Sequence, residues 1–307
     1  MQTFGSGAFR YTVVDNWAQR PRGWVFTDVV GVAVDSGDRV YVFNRGEHPV
    51  MVFDEEGAFV RSWGEGMFGR PHGIFIDKDD YVWCTDDIWH AVRKFDRHGN
   101  LLLTLGTPGV RSDTGYDGRD LYGVKRAAGP FNGCTKAVVA PSGDIFVSDG
   151  YGNARVHRFS PEGKHLLSWG EPGAGQGRFI LPHSVLVDPD GLVYVADRQN
   201  NRIQVFSPDG AFVRQMQDMA LPADMILDGQ GHMYVAELKN KVSIRDVQGK
   251  VLAAWGGEEG RSNDAGLFIS PHGIARDSRG VLYVGEVCET SVGYDRGVRA
   301  VQKFVPA

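Results

Sequence analysis

Residues 183–216 read HSVLVDPDGLVYVADRQNNRIQVFSPDGAFVRQM. Four short runs of valine, leucine, isoleucine and aromatic residues are separated by two Pro-Asp-Gly turns and one polar turn. Runs of this kind predict β-strands, and the glycines supply the positive φ that tight hairpins require. The stretch therefore predicts four consecutive antiparallel strands joined by short turns.

The same pattern occurs six times along the 307 residues. The copies begin near Val30, His72, Thr135, His183, Ala223 and His272. Most of them follow one another at roughly 40–50 residues, a period typical of propeller blades. The third copy is delayed by an insertion at about residues 107–129. We therefore predict an all-β protein, a six-bladed β-propeller that forms a single domain over residues 1–307.

The sixth copy is incomplete, which indicates how the propeller closes. Its strands are interrupted at residues 288–297, resume at Val298–Phe304 and then stop. The early strand Phe9–Asp15 belongs to no copy, so we expect it to provide the missing outer strand of the last blade. This pairing would remove a free sheet edge that could otherwise recruit another chain.

Composition excludes several classes of protein. A net charge of −5 argues against a nucleic-acid partner, and no apolar run is long enough to predict a membrane span. The N-terminal residues lack the basic-then-apolar order of a signal peptide. Three cysteines are too few for a disulfide framework; they are Cys84, Cys134 and Cys288. We expect a reduced, cytoplasmic protein.

A Pro-His dipeptide opens every second copy of the repeat, at His72, His183 and His272. The other copies have Val30, Thr135 and Ala223 at this position, so the fold itself does not require histidine there. In a closed ring of six blades, histidines in alternate blades would point at one axis. Three imidazoles with an open fourth position are typical of catalytic zinc, although other divalent metals also accept imidazole ligands. The alternative is that each histidine only bonds a backbone carbonyl.

Three further side chains follow second strands of the repeats and would share the rim with the histidines. They are Arg45, Tyr151 and Arg198. A guanidinium binds a carboxylate through two hydrogen bonds, and a phenol near cations can lose its proton below its usual pKa of about 10. These residues are therefore candidates for an anion clamp and a general base. The alternative is that the arginines only pair with nearby carboxylates.

Other recurrent residues have a structural interpretation. Asp86, Asp149 and Asp197 end second strands, and we expect them to stabilise turns. Trp63, Trp169 and Trp255 recur with the repeat, and we expect them to pack between blades. Cys134 and Lys136 flank the opening of the third copy, but their spacing does not show whether they face the site.

From about Val30 to Phe304 the chain resembles NHL repeats, and as a whole it resembles the catalytic core of peptidyl-α-hydroxyglycine α-amidating lyase. The motifs that carry the resemblance are Phe43–His48, Pro71–Gly73, Val147–Tyr151, Pro182–Ser184, Val195–Arg198 and Pro271–Gly273. The resemblance implies that the three histidines bind a catalytic zinc and that Tyr151 is the catalytic tyrosine. It also implies that Arg45 and Arg198 are active-site arginines.

The reaction implied by this resemblance cleaves an α-hydroxyglycine, a carbinolamide, into an amide and glyoxylate. Zinc would lower the pKa of the substrate hydroxyl, and Tyr151 would remove its proton. Of the two arginines, one would favour the phenolate of the tyrosine and the other would hold the substrate carboxylate. The expected partner is therefore a small molecule that carries a carboxylate.

The sequence departs from the family pattern at some positions, which limits how much of the family's chemistry the resemblance implies for this chain. Gly273 stands where the family has an aspartate that helps to hold a structural calcium, which argues against that ion although the backbone positions Val32 and Ile74 match. Cys134–Lys136 replaces the family's Pro-Thr-Asp, so the natural substrate stays open. We expect a metal-dependent lyase that acts on a small α-hydroxyglycine-like carbinolamide. The alternatives are a metal-dependent hydrolase or hydratase at the same site, or a non-catalytic NHL interaction platform.

Overall fold

The computed structural model describes residues 2–257 and 260–307. The fold is an all-β six-bladed β-propeller, as predicted, with six antiparallel sheets of four or five strands. In the described ranges, helix is confined to three segments of three or four residues. The chain divides into two compact units: a first unit of Met1–Met67 with Ala223–Ala307, and a second unit of Phe68–Pro222. The prediction of a single domain stays a prediction.

The second unit contains blades 2, 3 and 4. The strands of blade 2 are β7 (Pro71–Ile76), β8 (Val82–Asp86), β9 (Ala91–Phe95) and β10 (Leu101–Leu105). The strands of blade 3 are β11 (Cys134–Val139), β12 (Ile145–Asp149), β13 (Arg155–Phe159) and β14 (His165–Trp169). A two-stranded parallel ribbon follows, β15 (Glu171–Pro172) with β16 (Arg178–Phe179). The strands of blade 4 are β17 (Pro182–Val187), β18 (Val193–Asp197), β19 (Arg202–Phe206) and β20 (Phe212–Met216).

The first unit contains blades 1, 5 and 6. The strands of blade 1 are β3 (Val29–Val34), β4 (Val40–Asn44), β5 (Val50–Phe53) and β6 (Phe59–Trp63). The strands of blade 5 are β21 (Pro222–Leu227), β22 (His232–Glu237), β23 (Lys241–Asp246) and β24 (Val251–Gly256). The strands of blade 6 are β25 (Pro271–Arg276), β26 (Leu282–Glu286), β27 (Val301–Pro306), β2 (Phe9–Val14) and β1 (Thr3–Ser6).

The N-terminal strand completes the last blade, as predicted. Strand β2 pairs antiparallel with β27, with Thr12 opposite Val305 and Val14 opposite Lys303. The sequence analysis missed the additional outermost strand β1, and it began the last internal strand three residues too early. Residues Gly297–Ala300 form a 3₁₀ turn, so β27 begins only at Val301.

Trp169 and Trp255 pack between consecutive blades inside their units, which confirms the expected role of these two tryptophans. The Trp169 ring lies 5.9 Å from the Phe206 ring of blade 4, and the Trp255 ring lies 5.5 Å from the Phe304 ring of blade 6. Each blade is a sheet with two apolar faces, so only a neighbouring blade can bury both. The repeat therefore stabilises itself through contacts between its copies.

No helix within residues 2–257 and 260–307 has the length and apolar character needed to cross a membrane.

Candidate functional site

Buried carboxylates at the ends of second strands hold the segments that lead into the Pro-His dipeptides. Asp86 accepts hydrogen bonds from the backbone N–H groups of Gly69 (2.6 Å) and Arg70 (3.2 Å), just before Pro71. Asp197 accepts one from Ile180 (2.8 Å), before Pro182. Asp149 accepts hydrogen bonds from the Asn132 N–H in the same way, before β11. These aspartates are turn-stabilising residues, as predicted, and Asp86 and Asp197 position histidine-bearing strands.

Glu286 performs the same function in blade 6. Its carboxylate accepts hydrogen bonds from the N–H groups of Ile269 (2.7 Å) and Ser270 (3.0 Å), before Pro271. Burial raises the pKa of this carboxyl, and the guanidinium of Arg296 opposes the shift. The entry into each Pro-His strand is therefore anchored by one buried acid.

Asp197 gives a testable dependence of stability on pH. Burial raises the pKa of its carboxyl to about 6, although Asn200 and Arg202 donate hydrogen bonds to it. Because the folded-state pKa is raised, its contribution to stability is full below about pH 4 and is lost as the pH rises through about 6, by roughly 3 kcal/mol. A ¹³C NMR titration should place the Asp197 carboxyl midpoint near 6. A midpoint near 4 would contradict the raised pKa.

In the second unit, two of the predicted metal ligands converge on the predicted catalytic phenol. The Oη atom of Tyr151 lies 3.1 Å from Nε2 of His72 and 3.3 Å from Nε2 of His183. The two imidazole rings are 4.7 Å apart, centroid to centroid. Both histidines are buried. The fold therefore brings together three residues that are separated by 79 and 32 positions in the chain.

A backbone carbonyl fixes the tautomer of His72. Its Nδ1 lies 2.7 Å from the carbonyl oxygen of Thr135. A carbonyl only accepts hydrogen bonds, so Nδ1 of the neutral ring carries the proton and Nε2 is the ring nitrogen that acts as acceptor. His272 in the first unit is anchored in the same way, with Nδ1 2.6 Å from the carbonyl oxygen of Val30. Thr135 and Val30 occupy the histidine position in their own blades, so blades without histidine supply these acceptors.

The glycine that follows two of the histidines allows this close approach. A Cβ atom at Gly73 would lie 2.3 Å from the Thr135 carbonyl oxygen, and one at Gly273 would lie 2.7 Å from the Cα of Gly31. Any side chain at either position would push the neighbouring first strand away. In the Pro-His-Gly sequence, the histidine is the potential metal ligand, and the glycine leaves the space that the neighbouring strand needs to bring its carbonyl to the histidine ring.

Two guanidinium groups flank the ring of Tyr151. Nη1 of Arg198 lies 3.5 Å from Tyr151 Oη, and its guanidinium carbon lies 5.5 Å from the ring centroid. The guanidinium of Arg70 lies 5.7 Å from the same centroid. Asp87 orients Arg70 through two hydrogen bonds of 2.7 Å, from Nε and Nη2.

Arg70 and Asp87 were not identified as candidate site residues from the sequence. The available signal was weak: Arg70 precedes Pro71-His72, where the corresponding residues of the other Pro-His copies are Leu181 and Ser270. Only the fold places the Arg70 side chain over a tyrosine of the next blade.

The remaining predicted residues, His272 and Arg45, belong to the first unit, and both lie near the start of β3. Nη1 of Arg45 lies 3.4 Å from a carboxylate oxygen of Asp28 and 2.9 Å from the hydroxyl of Thr290. Asp28 also accepts a hydrogen bond of 2.9 Å from the N–H of Glu289. Arg45 is thus paired with a carboxylate, as one interpretation of the sequence expected. Its catalytic role stays a prediction.

The insertion at 107–129 lies beside Tyr151 within the second unit. The hydroxyl of Thr114 donates to the carbonyl of Gly152 at 2.5 Å, and the amide of Gln199 donates to the hydroxyl of Tyr122 at 3.4 Å. The insertion therefore contacts the residues that follow Tyr151 and Arg198.

Cys134 and Lys136 are both buried at the opening of blade 3. The thiol of Cys134 lies 3.4 Å from the carbonyl oxygens of Asp86 and Ala91. Burial raises its pKa well above the ordinary value of a thiol. Cys134 is therefore suited to packing and not to nucleophilic chemistry.

The residues present fit a metal at the histidines but not the family's structural calcium. His72, His183 and His272 are buried, and each presents one ring nitrogen that could ligate a metal ion. For calcium, a carboxylate at position 273 would be needed, and Gly31 occupies the space of its Cβ.

Comparison with known proteins supports the repeat and the resemblance. A family model described as NHL repeat matches residues 179–206. Human NHL repeat-containing protein 3 is 31% identical over 320 residues, which covers 96% of this chain and 84% of that protein. The solved structure of a gluconolactonase from Xanthomonas campestris has a TM-score of 0.66 at 15% identity, covering 98% of this chain and 91% of that one. This structural likeness concerns the fold alone.

Two further relatives carry names that refer to peptide amidation. Peptidylglycine alpha-amidating monooxygenase of Rattus norvegicus is 31% identical over 86% of this chain, and the chain spans 30% of that protein's length. Peptidyl-alpha-hydroxyglycine alpha-amidating lyase 1 of Drosophila melanogaster is 33% identical over 52% of this chain and 29% of that protein. The chain therefore belongs to the family of NHL repeat-containing β-propeller proteins, and its sequence is similar to that of the amidating lyases.

Proposed function

We propose that this protein is a metal-dependent lyase that cleaves an α-hydroxyglycine-like carbinolamide into an amide and glyoxylate or a related aldehyde. The observation that carries the proposal is the convergence of the His72 and His183 ring nitrogens on the hydroxyl of Tyr151, with Arg198 beside it. We propose His272 as the third metal ligand, because its carbonyl anchor repeats that of His72. Zinc suits three imidazoles, and other divalent metals would also bind them.

The roles of the protein's own groups follow from their chemistry. A bound divalent metal would supply Lewis acidity towards an oxygen of the substrate. Tyr151 would accept the proton of the substrate hydroxyl as a general base. The C–N bond then breaks, its electron pair goes to the amide nitrogen, which takes up a proton, and the carbon becomes an aldehyde. Arg70 and Arg198 lie against the ring of Tyr151 and would hold it in position.

The proposal is tested with the purified full chain and N-acetyl-α-hydroxyglycine. We expect glyoxylate and acetamide in equal amounts, one divalent metal per chain by elemental analysis, and loss of activity after chelation. Activity should return when the metal is restored. Failure to form glyoxylate in the metal-loaded protein, with this and longer acyl substrates, would overturn the proposed function.

Arg198 gives a prediction that separates recognition from chemistry. A guanidinium can bind the substrate carboxylate through two charge-assisted hydrogen bonds, each stronger than a neutral one. Arg198→Ala should therefore raise KM for a carboxylate-bearing carbinolamide by roughly 10- to 100-fold, the equivalent of about 1.5–3 kcal/mol for a hydrogen bond to a charged group. Turnover of the corresponding neutral primary amide should change much less. An equal loss with both substrates would contradict a role in carboxylate binding.

A further inference from the structure

A small, mostly apolar cavity of about 200 Å³ lies in the second unit. Its lining includes Leu181, two residues before His183, and Asn153, two residues after Tyr151. Apolar side chains from the insertion and from the segment before β17 form much of its wall: Leu121, Tyr122, Val124, Phe179, Ile180 and Leu181. We infer that this cavity is a subsite for an apolar group, of about the size of a phenyl ring, on the amide side of the carbinolamide substrate. The inference rests on the proposed function.

One wall of the cavity is continuous with His183 and Arg198. Leu181 immediately precedes Pro182-His183, and its carbonyl accepts a hydrogen bond of 3.1 Å from the N–H of Arg198. The carbonyl of Ile180 accepts a hydrogen bond of 3.1 Å from Gln199. A group held against this wall therefore lies next to the backbone that positions a proposed metal ligand and the proposed carboxylate-binding arginine.

The other wall is joined to the segment that follows Tyr151. Asn153 lines the cavity two residues after that tyrosine, and its side chain forms hydrogen bonds of 3.2 and 3.3 Å with the backbone of Ala128. The Thr114 hydroxyl bonds the Gly152 carbonyl close by. The insertion is thus fastened to the catalytic segment, so the cavity is a formed part of the site's surroundings.

The chemistry of the substrate decides which of its ends this cavity accepts. One end of an α-hydroxyglycine carries a carboxylate, which an apolar cavity would exclude because it offers no compensating charge. The other end carries an acyl group that can be apolar. Apolar pockets discriminate between substrates by roughly 10- to 200-fold for a missing or extra methylene. We therefore expect a strong preference for substrates with a bulky apolar acyl group.

The test compares N-acetyl- and N-(3-phenylpropanoyl)-α-hydroxyglycine in the metal-loaded full chain. We expect kcat/KM to be at least about tenfold higher for the phenylpropanoyl substrate. Val124→Trp fills the cavity and should abolish this preference, because it should lower kcat/KM for the phenylpropanoyl substrate to about that of the acetyl substrate. Val110→Trp, at an exposed position of the same insertion, is the matched control and should keep the preference. Leu121→Trp repeats the test from another wall position should Val124→Trp fail to fold.

A binding measurement separates failure of the subsite from failure of the proposed function. Isothermal titration calorimetry compares the affinities of N-(3-phenylpropanoyl)glycine and N-acetylglycine. Both compounds lack the α-hydroxyl and are not cleaved. Tighter binding of the phenylpropanoyl compound that is lost in Val124→Trp supports the subsite even if no substrate is turned over. Equal kcat/KM and equal affinity for the two acyl groups in the wild-type protein would overturn the subsite and leave the lyase proposal standing.

Discussion

Replacing His72 with alanine is expected to remove the metal and to lower turnover by at least about 10³-fold, because Lewis-acid stabilisation by a metal contributes several kcal/mol to the transition state. The substitution should change the backbone little, because the Thr135 carbonyl still accepts a hydrogen bond of 2.8 Å from the hydroxyl of Thr85. Elemental analysis measures the metal content, circular dichroism the β-sheet content, and release of glyoxylate the activity. His183→Ala and His272→Ala should behave in the same way.

The control for this prediction is a histidine of the same unit outside the site. His165 is exposed on β14, where its Nε2 contacts the hydroxyl of Ser168. His165→Ala should retain one metal per chain and full turnover. If His72→Ala also retained stoichiometric metal and wild-type turnover, His72 would not be a ligand and its carbonyl contact would be its whole role.

Removing only the phenolic oxygen of Tyr151 is expected to separate proton transfer from metal binding. Tyr151→Phe should keep the fold and the metal, because the ring remains packed between the guanidinium groups of Arg70 and Arg198. It should lower kcat by roughly 10²- to 10⁴-fold, the usual contribution of a general base. The loss should appear in kcat more than in KM, since the proton is transferred only on the way to the transition state.

Tyr81→Phe, in the turn between β7 and β8, is the control for loss of a tyrosine hydroxyl. It should leave kcat, metal content and stability near those of the wild-type protein. Wild-type turnover in Tyr151→Phe would exclude the general-base role. A hydrolase or hydratase that uses metal-activated water would then explain the site better.

Much of the fold could be predicted because its signals are local. Alternating apolar residues define strands and glycine-containing turns define hairpins, within segments of about 40–50 residues that occur six times. The incomplete last copy and the unpaired Phe9–Asp15 together predicted the closing pair β2–β27. The strand β1 was missed because its four residues, TFGS, carry too little pattern to distinguish a strand from a loop.

The candidate site was predicted in part. The alternation of histidine between copies singled out His72 and His183. Their position after second strands singled out Tyr151 and Arg198, and the resemblance then implied their roles. The structure brings these four residues together. Arg70 was missed, because nothing in local spacing relates it to a tyrosine in the next blade. The insertion was recognised as a long loop, but the cavity that it forms with the segment before β17 has no signature in the sequence.

Residue types and their periods along the chain were therefore enough for the six blades, the closing strand and the histidine positions, because each depends on neighbours a few residues away. The tautomer of the histidines, in contrast, depends on contacts with residues that are far away in the sequence. The Thr135 carbonyl lies 63 positions from His72, and the Val30 carbonyl lies 242 positions from His272. Only packing of blades within each unit brings these carbonyls to Nδ1, and this contact makes Nε2 the ring nitrogen that can ligate a metal.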